Sequence, residues 1–306
     1  MKYKTQYRVC PLCSCDEGEI FVTLNQINIS VCNSCNMAFS DCSEIDVINA
    51  NKHNNESFYT YLKNEPIFTK VYFDSIIRKI KKKLKNQTIK LLEFGCGDGR
   101  FLLQAQNQGI QSFGIDFSPY SEIAKKKFNL NIDVNILDNS NFLNQKFNII
   151  VSHATFEHLY DPKSILQKLV SMLEPDGLLL IFGIPNFYSL NIQLFRNFHY
   201  NSPPGHINYF TTETLKNIGQ TMNLKKIKSK TYGFDLSYYI FKLKNLNQLF
   251  RHKLIEPTDM ADNYKLIQIY QQKRYNLFHR IITFIYTNVR IYKTGQSLEI
   301  WFANTS

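Results

Sequence analysis

Between residues 89 and 184 the apolar positions come in two alternating arrangements. Short continuous runs at 89–94, 112–116, 132–137, 147–152 and 178–184 have the length and side-chain content of buried strands. The segments between them carry apolar residues at helical spacing, most plainly Ile165, Leu166, Leu169, Val170 and Leu173. That helix is expected to start at Asp161-Pro162 and to stop at the turn 174–177, EPDG. Such alternation predicts a parallel sheet covered on both faces by helices, with ligands at the carboxyl ends of its strands. Upstream, residues 66–84 read as one amphipathic helix with Ile76, Ile77, Ile80 and Leu84 on its inner side. Downstream, two or three amphipathic helices are expected at about 236–293, followed by a closing strand at 296–303.

The first 42 residues follow a different period. Ile20, Val22 and Leu24, then Ile27, Ile29 and Val31, alternate as in a hairpin. Flanking it are Cys10-Pro-Leu-Cys13 and Cys32-Asn-Ser-Cys35, two pairs of matching internal spacing with 18 residues between them. Two such knuckles can bring four thiolates to the corners of one tetrahedron, the arrangement of a structural Zn2+ site. Buried reduced thiols and a pair of disulfides are the competing readings, the latter out of place in a reducing compartment. Four protein ligands leave no position for water, so the metal would hold the module together. Cys15 could replace Cys13; Cys15 and Cys42 are otherwise bystanders. Residues 43–65 are polar and aperiodic, a connector whose Phe58, Tyr59 and Tyr61 either form a lid or pin it to the body. The chain is thus divided as a β-ribbon at 1–42, the connector or lid at 43–65 and an α/β body at 66–306.

The body is organised around its first strand–turn–helix, LLEFGCGDGRF at 91–101. Gly95, Cys96, Gly97, Asp98 and Gly99 follow the strand, and Phe101, Leu102 and Leu103 begin a helix. A ligand lying across such a turn needs backbone without a Cβ in its way, and the helix N-terminus behind it offers free N–H groups. Asp116 closes the second strand about 20 residues on, where a carboxylate can accept both ribose hydroxyls of a nucleoside. Position 100 is Arg and the third glycine falls at 99, which separates the turn from the dinucleotide fingerprint.

Together these residues resemble the class I S-adenosylmethionine-dependent methyltransferases: E-x-G-x-G-x-G after the first strand, Asp116 after the second, Asp138 after the third, FNIIVSHATFEHL across the fourth and LEPDGLLLIFGIPN at the fifth. The resemblance implies an α/β, Rossmann-like seven-stranded sheet, mostly parallel with the last strand antiparallel. It also implies S-adenosylmethionine as cofactor, with Glu93, Gly95, Cys96, Gly97 and Gly99 at its methionine end, Asp116 on the ribose, Phe117 against the adenine and Asp138 on the adenine amino group. Ser152 and His153 would stand at the same mouth, His153 nearer the methionine. For the proton acceptor the candidates are His158 in FEHL, then His206 and Tyr209 in PPGHINYF, a segment resembling the acceptor side of one methyltransferase subgroup. Thr211 or Thr212 caps the helix that follows.

Composition narrows the rest. At 44% hydrophobic the chain is globular and can bury a full core plus a module. No apolar run approaches the ~18 residues of a membrane span, and no leader precedes the cysteines, so a cytoplasmic protein is expected. A net charge of +11, concentrated at 78–85, 125–127 and 225–230, favours an anionic substrate or partner. Zinc-ribbon modules resembling this one precede both sugar- or small-molecule methyltransferases and ribosomal RNA methyltransferases. The expected acceptor is a hydroxyl or amine of a small molecule or sugar precursor, O- or N-methylation being favoured because the further C-terminal domain of sugar C-methyltransferases is not seen. RNA is the alternative, disfavoured by the lack of an NPPY-like tetrapeptide after the fourth strand; a cofactor-binding scaffold without turnover is a third. The 236–293 helices would serve core packing or a homodimer contact, with an acceptor cap or a membrane surface as the other uses.

Overall fold

The computed structural model describes residues 2–52, 67–85, 88–196, 198, 202–233 and 293–305. The expected hairpin is present as β2 (Glu17–Leu24) and β3 (Ile27–Cys32), antiparallel and joined by Asn25 and Gln26. Both turn residues have positive φ, 49° and 66°, the conformation whose twist matches that of the strands. Around it lie β1 (Lys2–Lys4), β4 (Ala38–Ser40) and, from far along the chain, β10 (Asn208–Tyr209). The sheet order is β1-β2-β3-β4-β10. The ribbon is therefore completed by the very segment expected on the acceptor side, and residue 42 is not the limit of its sheet.

The connector also departs from expectation. Residues Glu44–Lys52 form helix α1, whose amino end is closed by the Ser43 side chain against the backbone of Asp46. The aromatic residues Phe58, Tyr59 and Tyr61 lie outside the described residues. Helix α2 (Ile67–Lys83) buries Tyr72, Phe73, Ile76, Ile77 and Ile80 and leaves its terminal lysines in solvent, as its pattern predicts.

The body is a seven-stranded sheet of order β11-β12-β9-β8-β5-β6-β7. Its strands are β5 (Lys90–Phe94), β6 (Gln111–Ile115), β7 (Ile132–Asp133), β8 (Phe147–His153), β9 (Leu173–Pro185), β11 (Leu224–Tyr232) and β12 (Ser297–Asn304). From β7 through β9 neighbours are parallel; β12 runs antiparallel to both β9 and β11. Leu91, Ile149, Val151 and Leu180 face α2 and α3 (Arg100–Asn107), whereas Leu92, Ile150, Leu179 and Ile181 face α5 (Pro162–Ser171) and α7 (Thr212–Thr221). Adjacent residues go to opposite cores, which is why the strands read as unbroken apolar runs. Helices α4 (Pro119–Phe128) and α6 (Leu190–Phe195) complete the set among the described residues. Thr211 is the α7 cap, forming a reciprocal capping box with Thr214.

Two expectations are corrected, and one strand was not foreseen. The third strand, expected at 132–137, stops at Asp133, whose carboxylate accepts from Asn135, Ser140 and the Asn141 backbone at 2.6–3.0 Å and bends the chain into a 3-10 turn at Leu137–Asn139. Residues 174–177 do not end a helix; they bulge within β9, which advances from Leu173 to Leu178 while β8 advances from Phe147 to Ile149. The lysines of 225–230 belong to edge strand β11, where Lys225, Lys226 and Lys228 are exposed and guard the sheet edge. The helices expected at about 236–293 lie outside the described residues, the chain leaving at Gly233 and returning at Lys293. Among the described residues no helix is long and apolar enough to cross a membrane.

Candidate functional site

The glycine turn lies at the carboxyl end of β5. Gly95, Gly97 and Gly99 all have positive φ, 77°, 48° and 69°, a region that side chains disfavour. Their surroundings differ. A Cβ at Gly95 would fall 2.3 Å from Thr155 Oγ1, and one at Gly99 would fall 2.6 Å from Leu130 Cδ1; at Gly97 it would meet nothing within 4 Å. Gly95 and Gly99 thus let the turn pack against the protein, while Gly97 faces open space. The Asp116 carboxylate ties the turn to the second strand, accepting the Gly97 N–H at 2.9 Å and the Ser118 N–H at 2.7 Å. Beside it Phe117 stands 66% exposed, an aromatic face offered to solvent.

Beneath the turn two polar groups await a partner. Glu93 is 3% exposed with Oε2 unbonded, and burial, then the charges of Asp98 and Asp116, hold its carboxyl well above the usual range. Ser152, buried on β8, leaves its hydroxyl unbonded. Unpaired buried polar atoms are rare, and they fit a site completed by a polar ligand. Cys96 is placed otherwise: its thiol lies buried against Gly114 within the α2–α3 core, so only its backbone belongs to the turn. His153 is wedged among Phe182, Phe73 and Tyr72 at ring separations of 4.7, 5.1 and 6.1 Å, and burial lowers its pKa to about 4. Asp138 sits on the exposed 3-10 turn, paired with Lys168 of α5.

Thr155, packed on Gly95, also opens the second half of the site, a 3-10 turn at Phe156–His158. Here the structure brings together His158 and His206, their rings 4.5 Å apart and perpendicular. The His158 Nδ1–H donates to the Gly205 carbonyl at 2.7 Å, which leaves Nε2 with the lone pair. Burial lowers both imidazole pKa values, that of His206 to about 3 with His158 adding to it, so both are neutral at pH 7. Tyr209 is close in sequence, but its hydroxyl is buried and donates to the His206 carbonyl at 2.8 Å.

Two residues here were not singled out in the sequence. Glu157, 1% exposed, joins the two histidines; burial pushes its carboxyl up to about 8, and Oε2 has no partner. Arg8 reaches in from the ribbon and donates to the carbonyls of Ile207, Leu159 and Tyr160 and to Asn208 Oδ1 at 2.7–3.3 Å. Its own backbone and those of Gln6 and Tyr7 are held by Asp41 at 2.7–2.8 Å. The adjacency of Glu157 to His158 was the available hint for the first; nothing in the local sequence marks the second.

In the ribbon, Sγ of Cys10, Cys13, Cys32 and Cys35 lie within 4.8 Å of one another, with Cys10–Cys35 at 3.4 Å and Cys13–Cys32 at 3.5 Å. All seven cysteines are free thiols. Burial pushes the Cys32 thiol up to about 12, and a divalent cation would reverse that preference. The donor set fits a soft tetrahedral ion, and Cys15 is not part of it.

A family model described as a methyltransferase domain matches residues 68–229. Over 118 residues the chain is 33% identical to malonyl-[acyl-carrier protein] O-methyltransferase of Bacillus anthracis, covering 35% of this chain and 42% of that enzyme. It is 26% identical over 117 residues to a ubiquinone biosynthesis O-methyltransferase of Rhodopseudomonas palustris, covering 35% and 46%. The chain thus spans less than half the length of either relative. Two solved structures share the fold: a SAM-dependent methyltransferase from Thermotoga maritima, TM-score 0.52 at 16% identity over 85% of this chain and 100% of that one; and the plantazolicin methyltransferase BpumL in complex with SAH, TM-score 0.53 at 16% identity over 85% and 94%. With over half its length matched to the family and the sheet order described above, the chain belongs to the methyltransferase-domain family and has the fold of the S-adenosylmethionine-dependent methyltransferases.

Proposed function

We propose that this enzyme transfers a methyl group from S-adenosylmethionine to a hydroxyl or amine of a small molecule or sugar precursor. The observation that carries the donor half is the pairing of open space above Gly97 with the unbonded Glu93 carboxyl beneath the same turn. When bound, the donor supplies a methyl group already activated on a sulfonium. Glu93 and the backbone of residues 95–99 would hold its methionine end, Asp116 the ribose and Phe117 the adenine, with Asp138 exchanging Lys168 for the adenine amino group. Ser152, on β8, would supply a spare hydroxyl.

The chain's remaining tasks are to align the acceptor, exclude water and take a proton. His158, with its Nδ1–H fixed on Gly205, presents a neutral Nε2 for that purpose, and His206 is the second candidate. Tyr209, its hydroxyl bound to backbone, is better suited to positioning His206 than to proton transfer. The names of the two curated relatives, both O-methyltransferases, support an oxygen acceptor over a nitrogen. In the ribbon, Cys10, Cys13, Cys32 and Cys35 would bind one structural Zn2+.

Calorimetry with S-adenosylmethionine and its demethylated product tests the donor half. Gly97→Val should weaken that binding by roughly 100-fold or more, about 2.8 kcal/mol at 1.4 per decade, because the new side chain occupies the ligand's space. Wild-type affinity in the variant would remove the assignment. Incubation with methyl-labelled donor and fractionated extract then identifies the acceptor: label in soluble metabolites or glycolipid is expected, and label confined to RNA would overturn the small-molecule reading.

A further inference from the structure

We propose that Glu157, His158 and His206 form a second metal site, for a divalent first-row transition ion, distinct from the four cysteines of the ribbon. The three side chains come from two separate segments, the 3-10 turn after β8 and the loop before β10, yet one carboxylate oxygen and two imidazole nitrogens fall within 4.8 Å of one another. Backbone and side-chain bonds fix the two segments together: the Ile207 N–H donates to the Glu157 carbonyl at 2.8 Å, and Asn208 Nδ2 donates to the carbonyls of Phe156 and Leu159 at 2.8 and 2.7 Å.

Inside this frame the polar groups are left unsatisfied. Glu157 Oε2 and His206 Nδ1 are both buried without a hydrogen-bond partner, at a typical cost of about 1–3 kcal/mol each. Arg8, the cation anchored in the same segments, spends its terminal nitrogens on carbonyls and on Asn208. A bound cation would satisfy the open lone pairs together and allow Glu157 to ionise in a buried place. The outer shell is in position as well, since His158 donates its other ring N–H to the Gly205 carbonyl, the usual support of a ligating histidine.

Two imidazoles and one carboxylate suit a borderline ion such as Fe2+, Co2+ or Zn2+, and they leave coordination positions open. An acceptor bearing a hydroxyl, or two adjacent oxygens, could fill those positions and lose its proton to solvent under the ion's charge, the ion then standing in for His158 and His206 as the group that promotes deprotonation. That consequence rests on the methyl-transfer reading; ion binding does not.

The test uses full-length protein holding one zinc in the ribbon, titrated with Co2+. One further equivalent is expected, with weak visible ligand-field bands and no sulfur-to-metal charge-transfer absorption. Glu157→Gln and His206→Ala should each weaken it by more than roughly 100-fold, beyond the 10–100-fold effect of residues that only support a ligand. No second equivalent, or wild-type affinity in both variants, would overturn the site. So would binding of the added cobalt accompanied only by a thiolate charge-transfer band, which places that ion on the ribbon's cysteines. Should both variants fail to fold, X-ray absorption of the wild-type cobalt protein decides: imidazole in the shell supports the site, and a shell of water or sulfur alone overturns it. Normal donor calorimetry beside absent Co2+ binding would reject the ion and leave the methyltransferase reading standing.

Discussion

Glu93 carries a carboxyl that burial and two neighbouring acids keep protonated above the usual carboxylate range, and this has opposite effects on folding and on binding. The folded chain keeps a proton that the unfolded chain releases, so the stability contributed by this group is fully present below the unfolded pKa and is lost as pH rises through the raised folded value. A donor bearing positive charge favours the ionised form, so its affinity should climb with pH over that window. Calorimetry across a pH series should show this rise, and Glu93→Gln should flatten it; an unchanged slope in the variant would place the titrating group elsewhere. At this scale the turn was legible in the sequence because glycine conformation and the Asp116 carboxylate act locally. Cys96 shows the limit: spacing placed it in the turn, but only packing against Gly114 decides that its thiol points into the core. Glu157 drew no notice because its neighbour in space, His206, is 49 positions away in the chain.

Among the elements, β10 is two residues long and has no sequence signature, yet it fastens the ribbon to the body. Arg8 does the same with a side chain, closing carbonyls of both candidate base-bearing segments. Arg8→Ala should lower stability by about 3 kcal/mol through orphaned buried acceptors and reduce turnover while leaving donor affinity unchanged. Urea unfolding and calorimetry would measure the two effects. Arg8→Lys should recover little, since an ammonium cannot reproduce the guanidinium fork. The central strands and α2 were readable because each faces two cores or one core and water. The third strand was overread because the Asp133 carboxylate captures the following turn, and β11 was hidden by its lysines, which describe an exposed edge more than a strand.

For the whole molecule, β10 belongs to the ribbon's sheet and lies against the 3-10 turn that follows β8, so a metal on the ribbon's four cysteines should be coupled to the proposed acceptor side. Removing zinc with a strong chelator is expected to speed amide exchange at 202–211 as well as in the ribbon, while residues 95–116 stay protected. Exchange unchanged at 202–211 would show the two halves to be independent. The seven-stranded α/β sheet was legible in the sequence, whereas β10, which joins the ribbon's sheet from residues 208–209, was not.

Strand β12 comes last in this chain yet occupies an inner lane, between β9 and β11. A polypeptide lacking it has two bare edges facing a gap, a sticky intermediate that cannot zip shut until this strand arrives. The sole tryptophan, Trp301, sits on that strand, 1% exposed. Its emission is therefore a native clock for the moment the gap closes.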